Sequence, residues 1–161
     1  MDFKIKKILV PIAFSKNCEI AKDYADELAK QFKATVKLLH VVEHSPYEVY
    51  MQRGIMEDVP LYERAGAALP SAEQKFVIKD VVEETRKELE RMKKVDGGTY
   101  EYEVRHGHTV DEIVREIENY DPDLVVVATH GHTGLKHLVL GSVTEKVVRL
   151  SPKPVLTVPI R

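Results

Sequence analysis

Two stretches of this chain, Ile8-Leu9-Val10-Pro11-Ile12 and Leu124-Val125-Val126-Val127, run apolar without an interposed polar residue. A strand that meets water on one side alternates; a strand that does not alternate is covered on both faces. Two such strands call for one sheet with helices above and below it. The rest of the sequence supplies them. Ile20, Tyr24, Leu28 and Phe32, with Ala21, Ala25 and Ala29, make an apolar stripe at helical spacing. Ser71 with Gln74 forms a capping box opening a second helix, with Val77, Val81, Leu89 and Met92 inward and Gly97-Gly98 as its stop. Thr109 with Glu112 caps a third, whose inner positions are Val110, Ile113, Val114 and Ile117. Ser142 with Glu145 caps a fourth, which ends before Pro152.

Residues 36–42 form another strand. Tyr100, Tyr102 and Val104 alternate with Glu101, Glu103 and Arg105, which predicts a strand with one wet face at a sheet edge. Pro154 and Pro159 cannot donate to a ladder, so the final strand, residues 155–160, is the other edge. The predicted fold is α/β: a three-layer, doubly wound, five-stranded parallel sheet in the order 3-2-1-4-5, with helices on both faces. One domain accounts for all 161 residues. Its switch point falls between strands 1 and 4, where ligands bind at the carboxyl ends of strands. An insertion at about 43–70 follows strand 2. It is far longer than the roughly 2–6 residues usual for such a connection. Tyr47, Tyr50, Met51, Ile55 and Met56 make it too apolar for free solvent. It packs on the domain or a second chain, or it lies as a lid over the site.

Composition narrows the function. The net charge of −2, with Lys and Arg interleaved among Asp and Glu, gives no positive field for nucleic acid. Cys18 is the single cysteine, which excludes an intramolecular disulfide and suits a reducing compartment. The first residues lack a signal-peptide core, and no apolar run is long enough to span a bilayer. The expectation is a cytoplasmic protein with no membrane partner.

The stretch that carries chemistry runs from Ala128 through Thr129, His130, Gly131, His132, Thr133 and Gly134 to Gly141, Ser142 and Val143. It leaves a buried strand and ends at a helix N-terminus. Small residues at 131, 134 and 141 allow tight turns and close backbone approach to a ligand. The first N–H groups of a helix lack intrahelical partners and favour an anion. Ser142 can cap that helix or offer its hydroxyl to a phosphate. The histidines of this segment and of His106-Gly107-His108 invite a metal reading, but no cysteine or carboxylate completes a set, so no metal site is assigned.

This segment resembles the nucleotide-binding signature of the universal stress protein family, G-x2-G-x9-G-[ST], with Ala128 at the first glycine, Gly131 at the second and Gly141-Ser142 at the end. The opening Lys7-Ile8-Leu9-Val10-Pro11, the second strand Leu38-Leu39-His40-Val41-Val42 and the closing Ser151-Pro152-Lys153-Pro154-Val155-Leu156 are similar to the family as well. The resemblance implies a stress-response regulatory protein that binds ATP, ADP or AMP and hydrolyses it slowly or not at all. Adenine would lie near Pro11, Ile12 and Ala13 and bond to the backbone at Val41. Ribose and phosphates would follow Ala128, His130, Gly131, His132 and Gly134 and end on Gly141, Ser142 and Val143, with Mg2+ held by the phosphates. It also implies a homodimer pairing final strands, with Val158 at the contact.

Two positions depart from the family pattern. Relatives that hold ATP commonly carry Asp where Ala13 stands, and Arg or Lys where His132 stands. Loss of a charged acceptor costs about 1.5–3 kcal/mol. The residues therefore leave a second reading open: a dimeric interaction module whose nucleotide site has decayed. An α-hydrolase-type enzyme would need a catalytic motif on the first turn, and Pro11-Ile12-Ala13-Phe14-Ser15 has none.

Overall fold

The computed structural model describes residues 4–43, 71–92, 94, 97–129 and 140–159, with 71–78 as backbone. Strand β1 (Lys7–Pro11) leads to helix α1 (Lys16–Phe32) and strand β2 (Thr35–Val42). Helix α2 (Ser71–Arg91), strand β3 (Thr99–His106) and helix α3 (Thr109–Tyr120) follow. Strand β4 (Leu124–Ala128), helix α4 (Ser142–Leu150) and strand β5 (Val155–Val158) complete the order. All neighbouring strands pair in parallel, in the order β3-β2-β1-β4-β5. This is the order the sequence predicts. Residues 44–70 of the insertion, together with His130, Gly131, His132, Gly134 and Ile160, lie outside the described residues.

The sheet separates two cores. On one face Ile8, Val10, Leu38 and Val126 pack against Ala21, Ala25 and Ala29 of α1 and Leu89 of α2. On the other, Leu9, Leu39, Val125 and Val127 pack against Ile113 and Ile117 of α3 and Val147 of α4. Ile8, Leu9 and Val10 are fully buried, as unalternating central strands require.

Helix α1 corrects the sequence reading. Its buried face is Cys18, Ala21, Ala25 and Ala29, together with the Lys22–Asp26 pair, whereas Ile20, Tyr24 and Phe32 are exposed. Alanines let the helix axis approach the sheet closely, which turns the larger apolar side chains outward. Lys22 Nζ lies 2.6 Å from Asp26 Oδ2, and the Tyr100 hydroxyl donates to Asp26 Oδ1 at 2.9 Å. Buried charges persist where they are paired and hydrogen-bonded, and here both conditions hold.

The polar face of β3 is also drier than alternation implies. Lys37 of β2 lies 3.0 Å from Glu116, and Arg105 of β3 bonds to Glu116 and reaches Glu112 at 3.5 Å. Glu112 and Glu116, four apart on α3, are both buried beneath their own helix. Glu112 is therefore bound to arginines instead of capping. The N-cap of α3 is His108, without a side-chain cap bond, and Thr109 is its first residue. Likewise α4 has Gly141 at its N-cap, again without a side-chain bond, and Ser142 is its first helical residue. Among the described residues no helix is long and apolar enough to cross a membrane.

Candidate functional site

β1 feeds a helix on one face of the sheet and β4 a helix on the other, so the chain parts at the carboxyl ends of these adjacent strands. A cavity of about 420 Å3 occupies the gap. Pro11, Ile12 and Ala13 border it from β1, Leu39, His40 and Val41 from β2, and Val127 and Ala128 from β4. Gly141, Ser142, Val143 and Thr144 close it from the start of α4, and Glu43 and Thr109 stand at the side where β2 meets α3. Pro11, Ile12, Ala13, Val41, Ala128, Gly141, Ser142 and Val143, expected from the sequence to share a site, thus all border this one cavity.

The register shows what Val41 offers. Thr35 N–H donates to Lys6 and Ile12 N–H donates to the Leu39 carbonyl at 2.7 Å, so the odd residues of β2 turn their backbone groups toward β1. Gly107 N–H donates to the Val42 carbonyl, which turns the even ones toward β3. β1 ends at Pro11, opposite Leu39. The N–H and C=O of Val41 therefore point beyond the end of β1, into the space the cavity occupies.

Two side chains fix the turn that follows β1. His40 Nδ1–H donates to the Ile12 carbonyl at 2.7 Å, and its ring lies 4.7 Å from that of Phe14. Phe14 has φ +48°, a left-handed conformation that a bulky residue holds only when its surroundings insist. Cys18 lies beneath the turn, its sulfur accepting from Ala13 N–H at 3.4 Å and from the Ser15 hydroxyl at 3.3 Å.

On the opposite wall the start of α4 is tied to the end of β4. Gly141 N–H donates to the Thr129 carbonyl at 2.7 Å, and the buried Thr144 hydroxyl donates to the Ala128 carbonyl at 2.7 Å. The Gly141 amide, expected from the sequence to serve a ligand, is therefore spent on closing the loop. The amides of Ser142, Val143 and Thr144 are the first of α4, have no intrahelical acceptor, and receive no side-chain cap from Gly141. They form a partly positive patch suited to an anion.

Sequence reasoning missed His40, Glu43, Thr109 and Thr144. Thr144 alone carried a signal, a hydroxyl on the inner side of the first turn. Glu43 and Thr109 are brought together only by β2–β3 pairing. His106 and His108 lie at the end of β3, and His130, His132 and His137 are outside the described residues. Among those described, no group of three His, Cys, Asp or Glu stands where it could hold a metal ion. A second cavity, about 330 Å3, lies at the other end of the sheet between the end of α1 and the start of β3, with Asp26, Lys30 and Gly97 on its walls.

A sheet of this order, with its cavity at the switch point, defines a class, the open doubly wound α/β domains. The particular family follows from comparison. Residues 4–159 match the universal stress protein family, and the chain belongs to that family. The universal stress protein MJ0577 of Methanocaldococcus jannaschii is 32% identical, over 98% of this chain and 97% of its own length. Its solved structure superposes with a TM-score of 0.65 over 98% of this chain and 97% of that one. Two more distant members share the fold. One is a universal stress protein in complex with cAMP, at 18% identity and TM-score 0.58 over 97% of this chain and 98% of that one. The other is an Arabidopsis thaliana family member with AMP bound, at 18% identity and TM-score 0.55 over 97% and 92%.

Proposed function

We propose that this chain binds an adenine nucleotide in the switch-point cavity and acts as a regulatory protein, with the nucleotide biasing its conformation or its choice of partner. The observation that carries the reading is the pairing of two features on one cavity: the backbone edge of Val41 on β2 and the uncapped start of α4. A donor beside an acceptor matches N1 and the 6-amino group of adenine. Three amides at a helix start match phosphate oxygens. The cavity is within the range of about 300–1,000 Å3 usual for small-molecule sites. The relatives with cAMP and AMP hold ligands of the same chemical class. His130, Gly131, His132 and Gly134 enter the proposal as the loop that follows the phosphates. Mg2+, if the ligand is ATP, takes most of its oxygens from the phosphates, as that ion commonly does.

Binding rather than turnover is the proposed role, with ATP hydrolysis slow at most. The second reading, an interaction module with a decayed site, draws support from Ala13, which leaves that wall without a charged acceptor for the nucleoside. Isothermal titration with ATP–Mg separates the two. The nucleotide reading predicts one site per chain, tightened about tenfold by Ala13→Asp. No heat at millimolar ligand in either protein contradicts it.

A second copy of the chain is the proposed protein partner, paired through the free edge of β5.

A further inference from the structure

Glu43 stands where a ligand-reading residue would stand, with its side chain 55% exposed at the cavity rim. It lies just past the end of β2, on the cavity wall, two residues beyond Val41. Its carboxylate is held from a different element. The Thr109 hydroxyl donates to Oε2 at 2.9 Å and the Thr109 N–H to Oε1 at 3.4 Å. The His108 ring lies 3.8 Å from Oε1 and is itself 3.4 Å from Asp111. Because His108 gives α3 no side-chain cap, Glu43 supplies that cap across the cavity rim. A carboxylate offers about four acceptor positions and no donor. Thr109 takes two of them, and the others are left for a donor brought by a ligand.

We propose that Glu43, oriented by Thr109, selects the base, accepting the second hydrogen of an exocyclic amine and excluding a base with a carbonyl at that position. The inference rests on the nucleotide reading above and adds the specificity of that site. Along β2 the carbonyl of Val41 lies on the Glu43 side of its own amide. A base set with N1 on the amide and its 6-amino group on the carbonyl therefore directs the amine toward Glu43. Adenine satisfies both acceptors, because its amine has two hydrogens. Guanine in the same pose sets O6 against a carbonyl and a carboxylate, and a site whose polar groups go unmatched rejects its ligand strongly.

The test is a titration of ATP and GTP, each with Mg2+, against the wild type, Glu43→Gln, Glu43→Asp and Thr109→Val, with a melting curve for each protein. Gln keeps the acceptor for Thr109 but adds an amide that can serve O6. The expected result is a wild-type preference for ATP that narrows about tenfold in Glu43→Gln, chiefly through a gain for GTP. Glu43→Asp retains the preference and Thr109→Val narrows it partly. An unchanged ratio in Glu43→Gln, or equal losses for both nucleotides, overturns the selector role while leaving the nucleotide site standing. If the wild type binds neither nucleotide, both readings fall.

Discussion

Tyr120 shows how one side chain can set a boundary condition for the whole molecule. It ends α3 beneath Lys37 and Lys7, whose amines lie 3.9 Å and 4.9 Å from the centre of its ring. Burial, then the carboxylates of Glu101, Glu116 and Asp123, hold its phenol well above the ordinary value of 10.0. The sign follows from linkage. Below pH 10 the phenol is neutral in both states and its contribution is fully present. Above it the unfolded chain ionises first, and stability falls as pH rises. The expected outcome is an alkaline loss of stability that Tyr120→Phe removes, read from urea unfolding between about pH 8 and pH 11. Asp121 behaves oppositely and weakly: its bond to Lys153 lowers its pKa, but the group is exposed and screening leaves little effect.

At the scale of elements, helix α1 decides how much of the fold a sequence can reveal. Its period was legible, but its inward face was not, because large apolar residues and alanines both recur every three to four positions. Proximity to the sheet favours the small ones, so Ala25 is fully buried while Tyr24 is 54% exposed. Ala25→Leu should cost about 1–3 kcal/mol, and Tyr24→Ala within about 0.5 kcal/mol, by denaturant titration. Central strands were legible for a plainer reason. Ile8, Leu9 and Val10 admit no solvated face, which puts β1 inside the sheet, while the wet face of β3 and the prolines around β5 mark the edges. The caps failed where tertiary bonds outbid local ones: Glu112 was drawn to Arg105, and the Gly141 amide to Thr129. Half of the candidate site could be read because it lies on strand ends and a helix start. Glu43 with Thr109 could not, since a pair 66 residues apart meets only after β2 and β3 align.

For the molecule as a whole, β5 carries the proposed dimer, and its geometry corrects the residue to test. Val158 is buried in the core of its own chain at 1% exposure, so a charge there would damage the fold before any interface. Val125 N–H donates to the Pro154 carbonyl and Thr129 N–H to that of Val158, which turns even residues of β5 toward β4. Thr157 consequently directs its backbone to the free edge. Thr157→Pro removes an edge donor while sparing the ladder to β4. The expected outcome by analytical ultracentrifugation is a wild-type dimer and a folded monomeric variant; a variant that remains dimeric excludes this edge.

The central claim is that the gap between the ends of β1 and β4 is where a nucleotide sits, and amide chemical shifts test it residue by residue. In a 1H–15N titration with ATP–Mg, the amides of Ala13, Val41, Ser142 and Val143 are predicted to move together and saturate at one ligand per chain. Those of Gly97 and Thr99, beside the cavity at the opposite end of the sheet, should stay still. Shifts confined to that opposite end, or none at all at millimolar nucleotide, would contradict the account.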